Sequence, residues 1–63
     1  MNGVRIEVEE FGTELDGERE SFGVHLITYT QGLAVIRRGG ALDHCGVWIE
    51  NAAQLSTAVY GDD

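Results

Sequence analysis

The stretch FGVHLITYTQGLAVIRRGG, residues 22–40, decides the fold. Phe22 to Thr30 is rich in β-branched and aromatic residues, which fit a pleated, half-buried surface, and so reads as a strand. Gln31-Gly32 is a turn signal, with Gly32 able to supply the positive φ of a type II or bulged turn. Leu33-Ala34-Val35-Ile36-Arg37-Arg38 then returns antiparallel, and Gly39-Gly40 breaks the pattern. Residues 22–30 and 33–38 are accordingly expected to form a hairpin.

Toward the N-terminus, Val4-Arg5-Ile6-Glu7-Val8-Glu9 alternates strictly, as a strand with one buried face does. Residues 4–9 are expected to point Val4, Ile6 and Val8 inward and Arg5, Glu7 and Glu9 to water. Residues 10–21 contain Gly12, Gly17 and few apolar side chains. They read as an acidic loop or long hairpin connection, anchored by Phe11 and Leu15. Toward the C-terminus, 45–50 reads as a further strand. Asn51 is placed to cap a helix over 52–60, with Ala52, Leu55 and Val59 as its apolar stripe and Gly61 at its end. Nine residues are too few for an independent helix, since those shorter than about 12–15 are marginal in water, so it must pack on the sheet. The competing reading is an edge strand over 55–60, because Ser56, Thr57 and Val59 are weak helix formers. The expectation is an α+β fold: a three- or four-stranded antiparallel sheet with one short C-terminal helix, in a single domain spanning 1–63.

Sixty-three residues with 4 Lys or Arg and 11 Asp or Glu carry a net charge of −7. A domain of this size buries only about 60% of the surface of its unfolded chain, so its core is thin. Hollowing out a pocket of roughly 300–1,000 Å³ would leave little to hold the fold, which argues against an enzyme. Nucleic-acid binding and adhesion to anionic membranes both need clustered Lys and Arg, and neither is expected here. Acidic surfaces instead attract basic partners and speed their encounter.

Cys45 is the only cysteine, so no intramolecular disulfide forms. The apolar run Leu33–Ile36 is far too short for a membrane span, and the N-terminus lacks an apolar signal region. A cytoplasmic protein is expected, and the start at Met1 points to a complete gene product.

Candidate chemistry is sparse. Asp43-His44-Cys45 places three potential ligands in a row, but neighbours on a strand point to opposite faces. With one Cys and two His in the chain, a four-ligand zinc site is not expected. Cys45 instead reads as a buried small hydrophobe. A Cys45–His25 nucleophilic pair needs the two strands to be neighbours and still lacks an oxyanion site. Arg37-Arg38-Gly39-Gly40 lacks the spacing of a phosphate loop, and its arginines are expected to pair with Glu50 or the N-terminal acids. No catalytic residue, metal or cofactor is expected. Trp48 and Tyr60 are the amphipathic side chains best suited to an interface, although Trp48 could equally centre the core.

The acids are concentrated. Glu7, Glu9, Glu10, Glu14, Asp16, Glu18 and Glu20 all fall in the first third, whereas 21–61 is neutral and Asp62 and Asp63 close the chain. With Trp48, these seven acids are the candidate partner-binding residues. Same-face residues on a strand repeat every ~6.6 Å, while duplex DNA carries a charge per ~1.7 Å. Competition for a small arginine patch therefore fits better than imitation of a long duplex.

The acids Glu7 to Glu20, set before the compact β-rich remainder Phe22 to Tyr60, resemble the profile of small phage-encoded anti-CRISPR proteins. That resemblance implies a protein–protein inhibitor that blocks a basic nucleic-acid-binding assembly such as a CRISPR effector complex. It implies no particular architecture, because the family shares no common fold. Two alternatives remain: an antitoxin-like or small regulatory protein that neutralises one cognate partner, and a homodimeric structural module joined through a sheet edge.

Overall fold

Thr28 and Gln31 overturn the hairpin expected over 22–38. In the computed structural model, which describes residues 3–61, Thr28 Oγ1 accepts from the Gln31 amide at 3.2 Å. Gln31 Oε1 accepts in return from the Thr28 amide at 2.8 Å. This reciprocal capping box satisfies two otherwise orphaned donors and starts a helix, α1, over Tyr29–Arg37. The expected strand 33–38 is therefore helical, and Gln31-Gly32 lies inside the helix rather than in a turn. The strand expected over 22–30 becomes β2, Ser21–Thr28. Arg38 caps α1, and the Gly40 and Gly39 amides return to the Val35 and Ile36 carbonyls at 2.9 and 3.0 Å. With Gly39 at φ 90, this is a Schellman stop.

The N-terminal strand β1 runs Arg5–Phe11, beyond the expected 4–9. It pairs antiparallel with β2 along its length. Their connection closes at Asp16 (φ 55) and Gly17 (φ 80), where Leu15 and Glu18 exchange backbone bonds of 2.7 and 3.0 Å. Positive φ at both central residues is the tight hairpin turn whose twist suits the strands. Residues 12–20 thus form a structured arm, and the anchor expected at Leu15 is instead exposed.

After α1 comes an unforeseen strand, β3, Ala41–His44. It pairs antiparallel with β1 on the side away from β2 and with β4, Val47–Ile49. The strand expected over 45–50 is shortened because Cys45 (φ 52) and Gly46 (φ 85) form the β3–β4 turn. Asp43 Oδ1 accepts from the Gly46 amide at 3.0 Å to hold it. The C-terminal helix α2 spans Ala52–Tyr60; Asn51 accepts from the Gln54 amide at 2.8 Å, and Gly61 ends it. The architecture is α+β, a four-stranded antiparallel sheet of order β2-β1-β3-β4 with two helices rather than one.

Both helices cover the same face of the sheet. Val8, Ile27, Leu42 and Ile49 meet Val35, Leu55 and Val59 there in one core. Ile6 packs against its margin, whereas Val4 is exposed rather than inward. On α2, Leu55 and Val59 carry the buried stripe, and Ala52 faces solvent. Among the described residues no helix lies over the opposite face of the sheet. Asp62 and Asp63, the acids that close the chain, lie outside the described residues.

Candidate functional site: the open face of the sheet

Register places the side chains of the uncovered face. Val24, Glu9, Asp43 and Trp48 lie in one row across β2, β1, β3 and β4. Leu26 and Glu7 form the next row, and Thr28 with Arg5 the one beyond. Strand alternation therefore sets three carboxylates between an apolar stripe on β2 and an aromatic cluster on β4. Val24 and Leu26 are 60% and 61% exposed, and Phe22, at the irregular end of β2, is also exposed. A shallow groove of about 190 Å³ runs between Glu7, Glu9, Val24, Asp43 and Cys45.

Trp48 is held at its end of the row. Its ring lies 5.3 Å from that of Phe11 at 44°, a tilted aromatic pair. The Arg19 guanidinium stands 5.7 Å from the Trp48 ring centroid, within range of a cation–π contact. Arg19 also donates to the Gly12 and Gly39 carbonyls at 2.9 Å each, fastening the hairpin arm to the end of α1. Trp48 is thus exposed on the open face and is not the centre of the core.

The seven acids separate into three environments. Glu7 is exposed on the open face, and Glu9 is half-buried beside it, accepting from Ser21 Oγ at 2.6 Å. Glu14, Asp16, Glu18 and Glu20 are exposed along the hairpin arm, where Glu14 lies 4.0 Å from Arg19. Glu10 is different. It is only 8% exposed and lies in β1 on the helix-covered side, so it is not the surface charge expected from its place in the acidic run. Arg38 Nη2 donates to its Oε2 at 2.7 Å and His25 Nε2 to its Oε1 at 2.8 Å. A buried carboxylate requires such partners, because desolvation without them is costly. Replacing Arg38 with alanine is expected to lower stability by roughly 1–2 kcal/mol, at the lower end for a charged hydrogen bond since the guanidinium is partly in water. Arg37→Ala, which removes no ion pair among the described residues, is expected to change it by less than about 0.5 kcal/mol. Urea midpoints of the two variants check the difference.

The nucleophilic pair does not assemble. His25 sits on β2 with its ring on Glu10, on the covered side, while Cys45 lies in the β3–β4 turn beside the open-face groove. Strands β1 and β3 separate them. Cys45 is exposed, not buried. Its Sγ lies 3.9 Å from Nδ1 of His44, which donates to the Glu7 carbonyl at 2.8 Å. A second groove of about 300 Å³ lies between β4 and α2, lined by His44, Val47, Trp48, Gln54, Thr57 and Ala58. It holds one imidazole and no carboxylate, so it brings no acid–base pair together. Among the described residues no three His, Cys, Asp or Glu side chains converge as a metal would require. No described helix is long and apolar enough to cross a membrane.

Several members of the face were not foreseen. Neither Asp43 nor Arg19 is among the partner-binding residues expected from the sequence. Val24 and Leu26 could have been found, because β2 is apolar on both faces: Ile27 points one way and Val24 and Leu26 the other. A sheet covered on one side leaves the second set in water. Comparison with protein-family models, with curated proteins and with solved structures found no match for this chain.

Proposed function

We propose that this chain is a non-enzymatic protein inhibitor that docks its open sheet face on a basic, nucleic-acid-binding assembly, with anti-CRISPR activity as the leading instance. One observation carries the reading: Glu7, Glu9 and Asp43 lie in the middle of an uncovered face between exposed Val24 and Leu26 and the Trp48 cluster. Apolar side chains in the centre of an interface supply affinity, whereas charge supplies encounter rate and partner choice. Their combination suits a partner that presents arginines among apolar residues, as a groove for nucleic acid does. Arg19 on Trp48 displays within the chain how a guanidinium rests on this face. The exposed acids of the arm extend the attracting field beyond the contact.

The test is competition. Purified CRISPR effector complexes of several types are each mixed with labelled target DNA and increasing amounts of this chain. Loss of DNA binding by one of them, restored by Glu7→Lys with Glu9→Lys, supports the proposal. DNA binding unaffected across the panel contradicts the anti-CRISPR assignment. Inhibition that the double variant leaves intact contradicts the role given to the face.

A further inference from the structure

We infer that the open face receives an α-helix of the partner, lying along β1 with an arginine stripe on Glu7, Glu9 and Asp43. Apolar residues flank that stripe on both sides. The inference rests on the proposed docking of this face and names the element that docks. A sheet face left to water alternates cleanly, apolar inward and polar outward. β2 departs from that pattern: Ile27 belongs to the core, while Val24 and Leu26 point the other way and are exposed. Trp48 stands outward on β4, 39% exposed. Apolar surface therefore borders the three carboxylates on both sides. A purely charged partner would leave that surface in water, and a purely apolar one would desolvate the carboxylates without pairing them. A basic stripe between apolar flanks meets both.

Backbone chemistry selects a helix. The amides and carbonyls of a sheet lie in its plane and point to neighbouring strands, so its face offers side chains only. An extended segment laid on this face would hold its own backbone groups unpaired against apolar side chains, which is costly. A helix pairs them internally. Both forms match the acids in step, at about 6 Å from i to i+4 in a helix against about 6.6 Å from Glu7 to Glu9. The backbone is what separates them. β2 and β4 are three strand spacings apart, about 14 Å, and a helix with its side chains is about 10–12 Å across. Centred over the acids, it touches Val24 and Leu26 on one flank and Trp48 on the other. Ser21 Oγ holds Glu9 and the Gly46 amide holds Asp43, each through one oxygen. The second oxygen of each is left to a guanidinium. Arg5, beyond Glu7 on the same face, bars a further arginine there and ends the stripe.

Titration of the full, isotopically labelled chain with synthetic peptides, followed by amide chemical shift, tests the inference. Each peptide has about 20 residues, enough for a helix to form alone. One carries arginines at i, i+4 and i+7 with leucines on both flanks, on an alanine background. A second has the same composition with the arginines spread round the helix. The third is the first with a central proline, which breaks a helix. The striped peptide is expected to shift the Glu7, Glu9, Val24, Leu26, Asp43 and Trp48 amides. The other two are expected to bind roughly tenfold more weakly, and Glu7→Gln with Glu9→Gln to weaken the striped peptide by a similar factor. Equal binding of the spread peptide reduces the contact to bulk charge, and equal binding of the proline peptide makes the docked segment extended. Either result overturns the inference. So does a footprint on the arm or the helix-covered side, or no shift at millimolar peptide. The peptides are compared on the unmodified chain without an effector complex. Their failure therefore leaves inhibition to be judged by the competition assay, and failure of that assay leaves a helix footprint standing.

Discussion

Leu55→Ala is expected to lower the unfolding free energy by roughly 2–5 kcal/mol, the range for emptying a fully buried leucine site. Leu55 is 0% exposed and belongs to the core shared by sheet and helices. Its two methyl groups sit so close to Gly32 that a Cβ added there would lie 3.0 Å from each. The residue therefore joins α2 to α1 as well as to the sheet. A rigid helix pair cannot collapse easily into the vacated volume, which places the cost above the transfer term alone. For a chain of 63 residues, total stability is of order 3–9 kcal/mol, so the substitution removes a large share of it. A urea midpoint unchanged from the parent would show that α2 is peripheral to the fold.

Gly40→Ala is the second large effect, and its cause is opposite. A Cβ at Gly40 would lie 2.7 Å from the Phe11 carbonyl oxygen, 2.7 Å from Val35 Cγ1 and 3.0 Å from the Val35 carbonyl oxygen. Two of these atoms are backbone. One belongs to the end of β1 and the other accepts the Gly40 amide that closes α1. Neither swings aside as a side chain would, so α1 and β1 must part. Overpacking of this kind costs about 1–3 kcal/mol and sometimes more. Gly46→Ala is the control. Nothing lies within 4 Å of its added Cβ, so it pays only the left-handed backbone cost of about 1–2 kcal/mol. Thermal melts of both variants check the ordering, and a Gly40→Ala protein as stable as Gly46→Ala would contradict the close approach.

The ends of this chain were more legible than its middle. At the C-terminus Asn51 and Gly61 mark a helix by the hydrogen bonds that a side-chain oxygen and a flexible terminus provide. At the N-terminus, Ile6 and Val8 alternate with charge. In the middle, Leu33-Ala34-Val35-Ile36 is an apolar run that periodicity cannot assign to strand or helix. The arbiter was Thr28-Tyr29-Thr30-Gln31, a capping signature that outweighs the β-branched composition following it. Asp16-Gly17 carried an equally local hairpin signal. The pairing of Glu10 with Arg38 falls within the expectation that Arg37 and Arg38 meet Glu50 or the N-terminal acids, but its burial was not legible. Its burial follows from Arg38, 28 positions away, and only the folded topology brings that guanidinium to it. The open face was half legible: Glu7 and Glu9 by alternation, but not Asp43 or Arg19, which arrive through β3 and the arm.

The central claim is that the acids of the open face, more than those of the arm, make the contact with a basic partner. Its most direct test is a titration of that partner, the assembly inhibited in the competition assay, at low and at physiological ionic strength. Three proteins are compared: the parent chain, Glu7→Gln with Glu9→Gln, and Asp16→Asn with Glu18→Gln. Folding should hold in all three, as exposed ion pairs contribute only about 0–1 kcal/mol. The face variant is expected to lose affinity at both ionic strengths. The arm variant should slow association mainly at low salt, where the Debye length is longest, and leave dissociation unchanged. Affinity that is independent of salt and equal in all three proteins would contradict the claim, and would leave the acids as surface charge with no part in recognition.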